Sequence, residues 1–133
     1  MNKIKVLIAD DHQDYRKVVH DFLDQLPHVV VVGEATDGHD AVKKVEDLFP
    51  DVVLMDISMP QLNGIEATRI IKQRWPKTKV LIATNHDDAI YRKQAFEAHA
   101  DGFILKHSLK PSLEATFGVS HPPPPIPIPS SIK

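Results

Sequence analysis

The chain has 133 residues, a formal net charge of −2, 42% apolar and 26% charged residues, an ordinary balance for one globular domain with a sizeable core. The weak negative charge gives no general attraction to nucleic acid or an anionic membrane, and without cysteine there is no disulfide, thiolate nucleophile or cysteine-based metal site. No apolar run approaches membrane-spanning length, and the run that ends at Asp10 is too short for a signal-peptide core, so the sequence reads as a cytoplasmic protein.

Residues 6–9, Val-Leu-Ile-Ala, have the length and type of a strand buried on both faces, closed by Asp10 and Asp11. Val18, Val19, Phe22, Leu23 and Leu26 recur at helical spacing and predict a helix ending near Pro27. Residues 29–32 are consecutive valines and predict a second strand, with Asp37-Gly38 as a turn after it. Ala41, Val42, Val45 and Leu48 mark a second helix, stopped before Pro50. Residues 52–55, Val-Val-Leu-Met, predict a third buried strand. Asn63-Gly64 opens a third helix with Ile65, Ala67, Ile70 and Ile71 as its apolar residues, and Trp75-Pro76 closes it. Residues 80–83 predict the fourth strand, and Asp87 or Asp88 is placed to cap a fourth helix carrying Ile90, Ala95 and Phe96. Residues 103–105 predict a short fifth strand, and Ser108 is placed to cap a last helix with Leu109 and Leu113.

Strand and helix thus alternate, with every connection long enough for a crossover helix. The pattern predicts a doubly wound parallel sheet in an α/β/α sandwich, with right-handed crossovers. Residues 1–120 are assigned to this domain. Residues 121–133 are proline-rich and exclude a helix or an inner strand, which predicts an extended polyproline II tail. A linker remnant or a non-native end is the favoured reading of that tail over a docking segment for an aromatic-grooved partner.

The polar residues at the strand ends carry the chemistry. Asp10 and Asp11 come after the first strand, Asp56 after the third, Thr84 after the fourth and Lys106 after the fifth. In a parallel sheet all strand C-termini lie on one edge, so these residues converge. Asp56 stands directly after a buried run, where an unpaired carboxylate would be costly to desolvate. Carboxylates brought this close raise one another's pKa unless a cation sits among them, and a hard divalent ion, Mg²⁺, resolves the conflict. A lysine and a hydroxyl beside such a cluster suit a phosphoryl group, and the carboxylate facing the phosphorus would be its nucleophile.

These residues, together with Asp51 to Pro60, Asn63-Gly64 and Gly102 to Lys106, resemble the receiver domain of two-component response regulators. The resemblance implies the flavodoxin-like five-stranded sheet in order 2-1-3-4-5. It implies that Asp56 accepts a phosphoryl group from a phosphohistidine of a sensor histidine kinase. It implies that Asp10, Asp11, Asp56 and the backbone carbonyl of Ser58 hold Mg²⁺, and that Lys106 pairs with the phosphoryl oxygens. Thr84 and the aromatic Phe103 would be the switch residues, altering the face built by the fourth and fifth strands and the helices after them. The same face can form a homodimer. The activity is self-catalysed transfer with slow autodephosphorylation, not that of an ordinary enzyme. Gly33-Glu34-Ala35, Asp37-Gly38 and Lys106-His107-Ser108 are similar to the subfamily in which a helix-turn-helix effector comes after the receiver. No such effector lies in this sequence. The chain therefore reads as a fragment of a transcription regulator or a stand-alone receiver, with no direct contact to nucleic acid or membrane.

Other readings are weaker. A haloacid-dehalogenase-like phosphatase carries a second acid two residues after its nucleophile, and Ser58 occupies that position. A nucleotide-binding loop would need glycine or hydroxyl residues where Asp10 and Asp11 stand. The histidines lack zinc-ligand spacing, and His12 reads as flanking the acidic pocket. Capping of the first helix competes for Asp10 and Asp11. Asn85 and His86 stand near the path of water to the phosphoryl group and are expected to alter the acyl-phosphate lifetime. Lys72 and the other basic residues of the third helix read as a solvated face.

Overall fold

The computed structural model describes residues 3–85 and 88–117; the proline-rich tail, His86 and Asp87 lie outside the described residues. The strands are β1 (Ile4–Ala9), β2 (Val29–Ala35), β3 (Val52–Met55), β4 (Lys79–Thr84) and β5 (Gly102–Leu105). All pair in parallel, in the order β2-β1-β3-β4-β5, the flavodoxin-like order the sequence predicts. The helices are α1 (Gln13–Asp24), α2 (Gly38–Leu48), α3 (Gly64–Arg74), α4 (Ala89–Glu97) and α5 (Leu109–Phe117), with one 3-10 turn over Lys106–Ser108 before α5.

Both faces of the sheet are covered, which is why its central strands carry continuous apolar runs rather than alternating. Val6, Ile8 and Leu54 face α1 and α5 and pack with Val19, Leu23, Leu113 and Phe117. Leu7, Met55 and Ile82 face the other way, toward Ala41 and Val45 of α2, Ile71 of α3 and Ala95 of α4. The edge at the strand C-termini is held by backbone bonds that continue the strands. The Asp10 N–H donates to the Ala35 carbonyl at 2.9 Å, and the Asp56 N–H to the Ala9 carbonyl at 2.9 Å. Asn63 caps α3 by accepting from the Glu66 N–H at 3.0 Å, and Asp37 caps α2 by accepting from the Asp40 N–H at 2.8 Å.

Several local expectations are corrected. β2 does not stop at Val32: Gly33, Glu34 and Ala35 continue it opposite Leu7, Ile8 and Ala9, after an irregularity in register. An edge strand tolerates a glycine and a glutamate because one of its sides faces no partner. α1 ends at Asp24, ahead of Pro27, and Val18 on it is exposed. On α4 only Ala95 is buried, while Ile90 and Phe96 face outward. Residues six apart stand about 240° round a helix, so these two never shared one stripe. Ser108 stands directly before α5, where the sequence places a cap, and is also the last residue of the 3-10 turn.

Lys72 is the clearest departure. Its side chain is only 10% exposed, and its ammonium donates to the Pro76 and Thr78 carbonyls and to Asp101 at 2.9, 2.8 and 2.9 Å. Asp101 also accepts the Val80 N–H at 2.8 Å. The pair ties α3 to the start of β4 and to the turn before β5, and is not a solvated face.

Candidate functional site

Asp10 and Asp56 end adjacent strands and are both buried, 1% and 5% exposed. Lys106 arrives from the end of β5. Its ammonium lies 2.5 Å from Asp10 Oδ2 and 3.3 Å from Asp56 Oδ1. The Lys106 ammonium also sits 4.1 Å from the centroid of the Tyr15 ring, which α1 presents from its first turn. Asp11 and His12 complete the rim. The His12 ring Nδ1 is 3.1 Å from Asp10 and 3.0 Å from Asp11, and the His12 N–H donates to Asp10 Oδ1 at 2.8 Å.

Behind Asp10 a second cation fixes the backbone. Arg16 donates from Nη1 to the Asp10 carbonyl at 2.7 Å and from Nε to Glu34 at 2.8 Å. His20 meets the other Glu34 oxygen at 2.9 Å. The His20 bond and the Arg16 guanidinium hold the Glu34 carboxyl below its usual range. Arg16 thus straps the end of β1 to β2 through α1.

Thr84 is the last residue of β4, buried, and opposite Leu105, so it stands next to Lys106 on the same edge. Asn85, the residue after it, lines a cavity of about 300 Å³ with His12, Tyr15, Lys106 and His107. Phe103 is buried in the core shared with α2, α3 and α4, with the Arg92 guanidinium 5.1 Å from its ring centroid. Ser58 lies exposed in the loop after β3. In that loop the Ile57 carbonyl accepts from Met59 and from Gly64 at 3.1 and 2.8 Å. The structure therefore brings Asp10, Asp11, Asp56, Thr84 and Lys106 to one edge and keeps Phe103 beneath it. The capping reading of Asp10 and Asp11 fails, because the residue that precedes α1 is His12. Tyr15 and Arg16 were missed in the sequence. Tyr15 reads there as one more helix residue, and nothing local signals that Arg16 reaches a carbonyl six positions back.

Charge in the pocket is not balanced. Burial first, then Asp10, push the Asp56 carboxyl up to about 6, and the opposing pull of Lys106 does not restore it. Burial first, then Asp10 and Asp56, also push the Tyr15 hydroxyl up, so it stays neutral. One ligand atom from each of Asp10, Asp11, His12 and Asp56 lies within 4.8 Å of the others. A cluster of oxygen donors still short of positive charge fits a hard divalent cation such as Mg²⁺.

The raised Asp56 pKa has a stability consequence. A neutral Asp56 suits the folded state, so its contribution is full below the ordinary value of 3.8 and is lost as pH rises through about 6. In metal-free buffer above pH 6, Asp56→Asn is expected to be more stable than the wild type by about 3 kcal/mol, and the gap should close below about pH 4. Urea titrations across pH check this, and added Mg²⁺ should narrow the gap by stabilising the wild type more than the variant, which lacks one carboxylate of the cluster.

Fold and site together define a flavodoxin-like domain with a carboxylate, lysine and hydroxyl pocket at the C-terminal edge of its sheet. Residues 6–117 match the model of the response regulator receiver domain. The transcriptional regulatory protein DegU of Brevibacillus brevis is 47% identical over 105 residues, covering 79% of this chain and 44% of that protein. A protein-glutamate methylesterase/protein-glutamine glutaminase of Pyrococcus horikoshii is 41% identical over 107 residues, covering 80% of this chain and 29% of that protein. A LuxR-family two-component response regulator from Aurantimonas sp. SI85-9A1 superposes with a TM-score of 0.82 at 32% identity, over 88% of this chain and 84% of that one. The chain belongs to the response regulator receiver domain family. It spans less than half the length of the curated relatives it matches. No helix among the described residues is long and apolar enough to cross a membrane.

Proposed function

We propose that this receiver domain takes a phosphoryl group on Asp56 from a phosphohistidine of a sensor histidine kinase. The observation that carries the reading is the buried Asp56 carboxylate beside Asp10, with the Lys106 ammonium 3.3 Å away. An Asp56 oxygen attacks the phosphorus. The P–N bond to the donor imidazole breaks, and its electron pair returns to the ring nitrogen, which takes up a proton. The product is an acyl phosphate on Asp56. The Lys106 ammonium moves from pairing two carboxylates to pairing the incoming phosphoryl oxygens, and the Thr84 hydroxyl donates to them. Asp10, Asp11, Asp56 and the Ser58 carbonyl would hold Mg²⁺. When bound, that ion supplies positive charge which screens the carboxylates from the phosphoryl group.

Movement of Thr84 toward the phosphoryl group is read out through Phe103 on the β4–α4–β5–α5 surface, and a homodimer can form through α4, β5 and α5. Output is regulation of transcription in the cytoplasm, through a helix-turn-helix effector joined to a receiver that spans residues 1–120, with residues 121–133 as a linker. The domain is a signalling switch and not a turnover enzyme; loss of the phosphoryl group is slow and self-catalysed. The similarity to a transcription regulator exceeds that to a methylesterase, at 47% against 41% identity, which favours this output. Incubation with Mg²⁺ and acetyl phosphate, read by intact mass, tests the reading. A gain of one phosphoryl group that is absent in Asp56→Asn supports it, and no gain by the wild type refutes it.

A further inference from the structure

Lys106 is held on three sides, and only two of them are carboxylates. The third is the face of Tyr15, 4.1 Å from the ammonium to the ring centroid. The Lys106 side chain is 9% exposed, so this contact is made with little water present. An ammonium over an aromatic face is attracted by the ring quadrupole, most strongly when desolvated. Lysine carries its charge on a flexible four-carbon stem, and without a third contact the ammonium has several ways to meet Asp10 and Asp56.

A second observation separates the ring from the hydroxyl. The Tyr15 hydroxyl oxygen is buried and finds no hydrogen-bond partner among the described residues. A buried tyrosine ordinarily pairs that group. Tyr15 and Lys106 both line the 300 Å³ cavity, together with His12, Asn85 and His107. Cutting the ring back would widen this cavity beside Lys106 and admit more water to the ammonium.

We propose that Tyr15 is a positioning residue for phosphoryl transfer, its ring holding the Lys106 ammonium between Asp10 and Asp56 and keeping it dry. The catalytic consequence rests on the Asp56 reading above; the geometry does not.

The test uses the full chain with Tyr15→Phe and Tyr15→Leu, each with and without Lys106→Met. The first readout is the ¹H–¹³C resonance of the Lys106 ε-methylene, which needs neither metal nor phosphodonor. It should be shifted upfield by the ring in the wild type and in Tyr15→Phe, and return toward the free-lysine position in Tyr15→Leu. The second is the rate of phosphorylation by acetyl phosphate against donor concentration. Tyr15→Leu should lower the maximal rate about threefold to thirtyfold with the half-saturating donor concentration little changed, and Tyr15→Phe should rescue it. In the Lys106→Met background Tyr15→Leu should have no further effect. An unshifted Lys106 resonance in the wild type overturns the proposal even if Tyr15→Leu fails to fold. So does a Tyr15→Phe variant as slow as Tyr15→Leu, or an equal loss without Lys106. If the wild type gains no phosphoryl group at all, the Asp56 reading falls, and the resonance alone decides whether Tyr15 places Lys106.

Discussion

Replacing Lys106 with methionine is expected to slow phosphoryl acceptance from acetyl phosphate by about a hundredfold to a thousandfold at saturating Mg²⁺. Two effects act in the same direction. In the proposed transfer the ammonium is the group that meets the phosphoryl oxygens, and a preorganised charge at a dry site is among the larger contributions to such a step. Lys106 is also the influence that lowers the Asp56 carboxyl against burial and Asp10. Without it, in the metal-free protein, the carboxyl rises further, and less ionised nucleophile is present until Mg²⁺ binds. At sub-saturating Mg²⁺ the rate profile of the variant should therefore also move to higher pH. Methionine keeps the length of the stem but leaves Asp10 and Asp56 without their shared cation, so folding is checked by circular dichroism in the same buffer. Initial rates by intact mass across pH provide the measurement. A loss below threefold with no pH displacement would mean that Lys106 is a structural counter-ion only.

Gly64→Ala is expected to destabilise the domain by about 3 kcal/mol. Gly64 is the first residue of α3, and a β-carbon there would collide with the Asp56 backbone carbonyl. The obstruction is main chain, which has no rotamer to swing aside. The Gly64 N–H also donates to the Ile57 carbonyl at 2.8 Å, so the helix start is pinned against the end of β3. Relief of the clash must move α3 or move Asp56. The variant should lose stability in urea and, in its folded fraction, bind Mg²⁺ more weakly. A midpoint unchanged from the wild type would show that this approach is looser than the structure has it. The requirement is steric rather than conformational, since no glycine among the described residues has a positive φ.

Much of the site could be read before the fold was seen, for a topological reason. A parallel sheet delivers every strand end to one edge, so Asp10, Asp56, Thr84 and Lys106 needed only their strands to be found. β3 was legible to the residue, Val52–Met55, because a fully buried strand is a continuous apolar run with a charge at its end. What escaped depends on side chains reaching across elements. Lys72 and Asp101 are 29 residues apart and meet only after β4 and β5 are in place. Arg16 and Tyr15 are neighbours in sequence yet serve opposite ends of the pocket, one at the Asp10 carbonyl and one at Lys106. The limits of β2 and the outward turn of Ile90 and Phe96 were hidden for another reason. An edge strand and a short helix bury too little for hydrophobic spacing to mark them.

The central claim is that Asp56 is the nucleophile, and trapping its product tests that most directly. The protein is treated with acetyl phosphate and Mg²⁺, reduced with borohydride and digested, and its peptides are sequenced by mass spectrometry. Borohydride reduces an acyl phosphate to the alcohol, so homoserine should be found at position 56 and at no other aspartate. Homoserine at Asp10 or Asp11 instead, or a phosphoryl group retained on His12 or His107 with Asp56 untouched, would contradict it.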